Sequence, residues 1–156
     1  MQASFSAGPT ARRLDGAADA ISHVLQTDSW GCTFAVIAML TGRSYASVRD
    51  EIRERFNDDN VGATKGITYL DVVHLLIEAG YWTQLKYRWF FNNQEREVWP
   101  PAPWAELHYC EVIVKGGSGS HAVVVLADGT VLDPLTKEPR QLADYEKTNL
   151  VVGLRA

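Results

Sequence analysis

Cys32 stands where the polar, turn-like segment QTDSWG gives way to the apolar run CTFAVIAMLTG. If that run is a helix, the cysteine lies at its N-terminus, where unpaired backbone N–H groups and the helix dipole favour an anion. A thiolate held there is a nucleophile, whereas the same residue turned inward is a small core side chain. A nucleophilic thiol needs a base, and of His23, His74, His108 and His121 the last is the outstanding candidate. It follows the flexible GGSGS and opens the apolar run HAVVVLA, which predicts a position at the mouth of a strand. The chain then turns at Asp128-Gly129 and returns through TVLDP, bringing Asp133 across from His121. A carboxylate there can fix the tautomer and orientation of an imidazole. Attack on a carbonyl also creates an oxyanion, and Gln26, six residues before Cys32, can offer its amide N–H beside the backbone N–H of Cys32. Alone, each residue has an ordinary structural reading: a core thiol, an edge histidine, a turn aspartate, a loop glutamine. Together they have the parts of acyl transfer through a thioester. Gly31, lacking a side chain, is expected to let a substrate carbonyl come close to the sulfur.

The elements that must position these groups fall into two halves. Residues 1–13 have no period and are expected to form a flexible arm, followed by a short helix in LDGAADAISHVL. CTFAVIAMLTG is apolar on nearly every face and stops at Gly42, the pattern of a buried central helix starting at Cys32. SYASVRDEIRERF, capped by Ser44, spaces Val48, Ile52 and Phe56 by four, as an amphipathic helix does. After the loop NDDNVGATKG, a third helix is expected in ITYLDVVHLLIEAGY, with Leu70, Val73, Leu76 and Ile77 on its apolar face and a stop at Gly80. The period then changes: YCEVIVK, HAVVVLA, TVLD and NLVVGLR are short and β-branched, separated by Gly-rich turns. Helices precede strands, so the fold class is α+β, an N-terminal helical half packed on a C-terminal antiparallel β-sheet, with residues 14–156 as a single domain.

Composition excludes other classes. A chain of 156 residues with 46% hydrophobic content and 15 basic against 19 acidic side chains has a core but no basic field for phosphates, so no nucleic acid is expected as partner. No apolar stretch is long enough for a membrane span or a secretory signal, and two cysteines are no disulfide framework, which points to a cytoplasmic chain. No cofactor is expected. A zinc site from Cys32, His108, Cys110 and His121 would lack any local C-x2-C pair. Cys110 reads as a core thiol, and His74, inside LDVVHLLIEAG, as a packing or surface residue.

The four site residues, in their order and spacing, resemble the papain-like cysteine peptidases. The closer similarity is to the C39-like branch, which includes bacteriocin-processing, double-glycine leader peptidases. QTDSWGCTFAVIAMLTGRSYASVRDEI resembles that family's glutamine-to-cysteine segment, KGITYLDVVHLLIEAGY its second helical element, and GSHAVVVLADGTVLDP its histidine strand and Asp-Pro close. The resemblance implies a papain-like domain with Cys32 as nucleophile, His121 as base, Asp133 as orienting acid and Gln26 as oxyanion donor. It implies a protein or peptide substrate and a bacterial or phage-encoded hydrolase, which could be delivered to another cell. HAVVV and LDP also resemble segments of transglutaminase-like domains, so transamidation or deamidation of protein glutamine stays open. From a different class comes a non-catalytic binding module. Between the two halves, Trp89, Phe90, Phe91, Trp99 and Trp104 gather in one segment that could pack, line a groove or hold a protein partner.

Overall fold

A computed structural model describes Phe5 and residues 21–88, 106–117 and 119–155. Within them, three α-helices pack on one side of a five-stranded antiparallel sheet, so the fold is α+β. Helix α1 (Cys32–Thr41) has every residue from Thr33 to Thr41 buried, and only Cys32 is partly open to solvent. It ends as its sequence predicts: Gly42 takes a left-handed conformation (φ 70°), and its N–H bonds the Ala38 carbonyl at 3.0 Å. Helix α2 (Tyr45–Arg55) begins at Ser44, whose hydroxyl accepts the Ser47 N–H at 3.1 Å. It buries Val48 and Ile52, but Phe56, expected on the same face, lies beyond the helix end and is exposed.

Helix α3 (Tyr69–Glu78) starts at a capping box in which Thr68 and Asp71 satisfy each other's backbone N–H groups. Its buried face differs from the expected one. Val72, Leu75 and Leu76 point inward, whereas Leu70 and Ile77 are exposed and Val73 is half-buried. The apolar residues of this helix span more than one face, so period alone did not select the buried set.

The strands are β1 (Trp82–Arg88), β2 (Leu107–Ile113), β3 (Ser120–Val125), β4 (Val131–Leu132) and β5 (Lys147–Arg155), in the order β1-β5-β2-β3-β4. Strand β1 was not anticipated, since WTQLKYR alternates without a β-branched run; it forms because it pairs along β5. The hairpin from β3 to β4 turns at Asp128-Gly129 as expected, with the Thr130 N–H on the Asp128 carboxylate at 2.9 Å. The main core unites α1, α2 and α3 with Tyr109, Ala122, Val124, Leu150, Val152 and Leu154. The opposite face of the sheet buries Cys110, Val112, Val123, Val125, Val131 and Val151 beneath Tyr145.

Residues 21–25 are not helical, so the helix expected in LDGAADAISHVL is absent from its C-terminal part; residues 14–20 lie outside the described residues. Of the expected arm only Phe5 is described, and it is not loose. Its ring is buried under Arg43, 4.2 Å from the guanidinium, and its N–H bonds Glu78 Oε2 at 3.0 Å. The aromatic segment containing Trp89, Trp99 and Trp104 lies outside the described residues.

Candidate active site

The fold brings Cys32, His121 and Asp133 together from three elements. Helix α1 packs against β3, with Cys32 at the helix start and His121 one residue into the strand. Strand β4 pairs with β3 only at Val124–Leu132 and Val125–Val131. The flank of β3 beside His121 is therefore left clear of the ladder, and Asp133 follows directly after β4. His121 Nε2 bonds Asp133 Oδ1 at 2.6 Å, and the Cys32 sulfur lies close enough to act on the same ring. With Nε2 committed to the carboxylate, Nδ1 is the ring nitrogen left for the sulfur. One ring thus stands between the sulfur and the acid, the order a thiol nucleophile needs from its base.

His121 is 8% exposed and Asp133 2%. Burial is the largest influence on the imidazole and by itself would lower its pKa. The Asp133 carboxylate and the Cys32 sulfur outweigh it and raise His121 to about 9. Burial likewise pushes the Asp133 carboxyl up, but hydrogen bonds from His121, the Tyr145 hydroxyl and the Leu135 N–H hold it below the ordinary carboxylate range. The site thus keeps a charged imidazolium against an ionised acid at neutral pH.

Gln26 is nearby but engaged elsewhere. Its backbone N–H bonds the Pro134 carbonyl at 2.9 Å, tying the segment before Cys32 to the turn that carries Asp133. Its side-chain amide donates to the carbonyls of Asp28, at 2.9 Å, and Ser29, at 3.3 Å. In this state Gln26 braces the loop that delivers the cysteine. At the start of α1, Gly31 supplies no capping side chain and the first turn contains no acid, so no side chain of the helix competes for the N–H groups beside the sulfur.

The reason for Gly31 differs from the expected one. Its backbone (φ −97°, ψ 12°) is open to any residue, but a Cβ there would overlap the Tyr45 hydroxyl. That hydroxyl donates to Asp28 Oδ2 at 2.7 Å and accepts the Asp28 N–H at 3.3 Å, while Asp28 Oδ1 lies 3.7 Å from Arg53. Gly31 clears space for a brace on the loop rather than for a substrate.

Two supporting residues carry no signal in the sequence. Tyr145, in the polar stretch before β5, donates to Asp133 Oδ2 at 2.5 Å and is itself buried. His23 donates from Nε2 to the Asp133 carbonyl at 2.7 Å. The remaining candidates stand apart from this chemistry. Cys110 is fully buried, which pushes its thiol pKa up. His108 is buried on Glu106, and burial with the nearby Lys86 charge lowers it to about 4. His74 is exposed and meets Glu78 at 3.1 Å. Among the described residues no group of three or more His, Cys, Asp or Glu is placed to hold a metal, and no helix is long and apolar enough to cross a membrane. No protein-family model matches the chain, and no curated protein matches its sequence.

Proposed function

We propose that the protein is a cysteine hydrolase of papain-like, C39-like type, acting as a peptidase on a protein or peptide substrate. The observation that carries this reading is the bridge of His121 between Cys32 and the buried Asp133. With the proton of the pair on His121, Cys32 attacks the carbonyl carbon of an amide as the thiolate, and the negative charge moves to the carbonyl oxygen. The backbone N–H of Cys32 receives that oxyanion. The Gln26 amide joins it by giving up its longer bond, the one to Ser29. The C–N bond then breaks as the His121 imidazolium gives its proton to the leaving amine, leaving a thioester on Cys32. Water enters, His121 takes one of its protons, and the hydroxide displaces the thiolate to release the acid. Asp133 stays ionised throughout and stabilises the imidazolium. Both cysteines are free thiols, which suits the cytoplasmic setting that we assign to this chemistry.

The test is an activity screen of wild type against Cys32→Ala on peptides, isopeptides and glutamine-bearing proteins. New amine and acid ends from wild type alone are the expected result. Ammonia release or amine incorporation at glutamine would move the reaction to deamidation or transamidation, and equal inactivity of both proteins would favour a binding module.

A further inference from the structure

Glu111 is the only acidic residue in the five strands. It lies on the face of the sheet turned toward the helices, two residues from Tyr109 and directly opposite Ala122 on β3 and Leu150 on β5. His121 is paired with Val112 of the opposite face, so it is Cys32, packed on the helix-facing core, that shares this side of the sheet with Glu111. Oε1 accepts the Tyr109 hydroxyl at 2.8 Å. Tyr109 is buried and lies in the field of both Glu111 and Cys32, so acid and nucleophile flank the same ring. Arg88 donates to the Tyr69 hydroxyl at 2.9 Å, stacks over that ring, and its charge also acts on Glu111.

A largely buried carboxylate whose one hydrogen-bond donor among the described residues is a neutral phenol is poorly compensated. Burial raises its pKa, against the Tyr109 bond and the Arg88 charge. A minor part of Glu111 is still open to solvent, as is Cys32 at the helix start, so a group bound at the sulfur can meet it. An anionic side chain would be repelled and a neutral one would leave the acid uncompensated, whereas a cation restores its charge balance. We propose that Glu111 selects the substrate by receiving a lysine or arginine side chain of the peptide held at Cys32, an inference that rests on the hydrolase reading above.

Dipeptidyl chloromethyl ketones with arginine or its neutral isostere citrulline, at the first or second residue on the acyl side, read this directly. Wild type should be inactivated faster by an arginine compound by about tenfold or more, the worth of one charge-assisted hydrogen bond. Glu111→Gln, which keeps the shape, should bring that ratio near one, each inactivation rate being taken relative to iodoacetamide labelling of Cys32 in the same protein. A ratio near one in wild type at both positions, or one that survives in Glu111→Gln, overturns the proposal. If iodoacetamide itself shows no preference for Cys32, the nucleophile reading fails, and acetyl-arginine methylamide added to Cys32→Ala decides separately by NMR. Binding that the citrulline analogue and Glu111→Gln both abolish upholds the cation site, and no such binding overturns it.

Discussion

Asp133 is held on both oxygens: Oδ1 takes His121 Nε2 and the Leu135 N–H, and Oδ2 takes the Tyr145 hydroxyl. Of these donors only His121 faces the sulfur, so Tyr145 acts through the carboxylate, as a positioning residue. Tyr145→Phe keeps the ring that covers Val112 and Val151 but removes one bond that holds Asp133 in its charged form. The carboxyl should then take up its proton at higher pH, visible as an upward shift of the acid-side transition in the His121 ring resonances. Cys32 alkylation should slow by about fivefold, the loss of roughly one hydrogen bond. If the ring merely fills space, that transition stays where it is. On the alkaline side the sign is opposite: His121 is raised to about 9, so its proton, needed by the leaving amine, is present at neutral pH and lost as pH rises through that value. At this scale the sequence disclosed the three residues that the fold brings together, because a helix start, a strand mouth and a turn each leave a local pattern. Tyr145 and His23 leave none, since their partner is a carboxylate or carbonyl distant in the chain.

Helix α1 and the loop before it form the element on which the site depends. The helix is buried along its length, so it can neither tilt nor slide without opening the core. Its entrance is fixed by Tyr45 and Asp28, with Gly31 leaving room for the hydroxyl. Gly31→Ala should destabilise the fold by about 1–3 kcal/mol, the range for overpacking a tight site. Its loss of Cys32 reactivity should exceed what unfolding explains, because the displaced loop carries the sulfur. Since the backbone at Gly31 suits alanine, Tyr45→Phe in the same chain should recover part of the stability in a denaturant melt; no recovery would place the cause elsewhere. The helices were legible because Ser44 and Gly42 mark their ends and CTFAVIAMLT has no polar face. The buried face of α3 and strand β1 were not, because tertiary pairing chooses among apolar positions that are locally equivalent.

In the whole molecule the helical half supplies Cys32 and the sheet supplies His121 and, directly after β4, Asp133, so neither half holds the cluster alone. The two are tied beside the chemistry by the Gln26 N–H on Pro134 and by His23 on the Asp133 carbonyl. The α+β order was readable from the change of period along the chain. The strand order, with β5 inserted between β1 and β2, was not, because pairing partners leave no mark on either strand. The most direct measurement is the rate at which iodoacetamide labels each cysteine at mildly acidic pH, followed by peptide mapping in wild type and His121→Ala. Cys32 should react well ahead of Cys110, whose thiol is fully buried and raised in pKa, and His121→Ala should abolish that lead. Equally slow labelling of the two cysteines, or a lead for Cys32 that persists without His121, would contradict the Cys32–His121–Asp133 site.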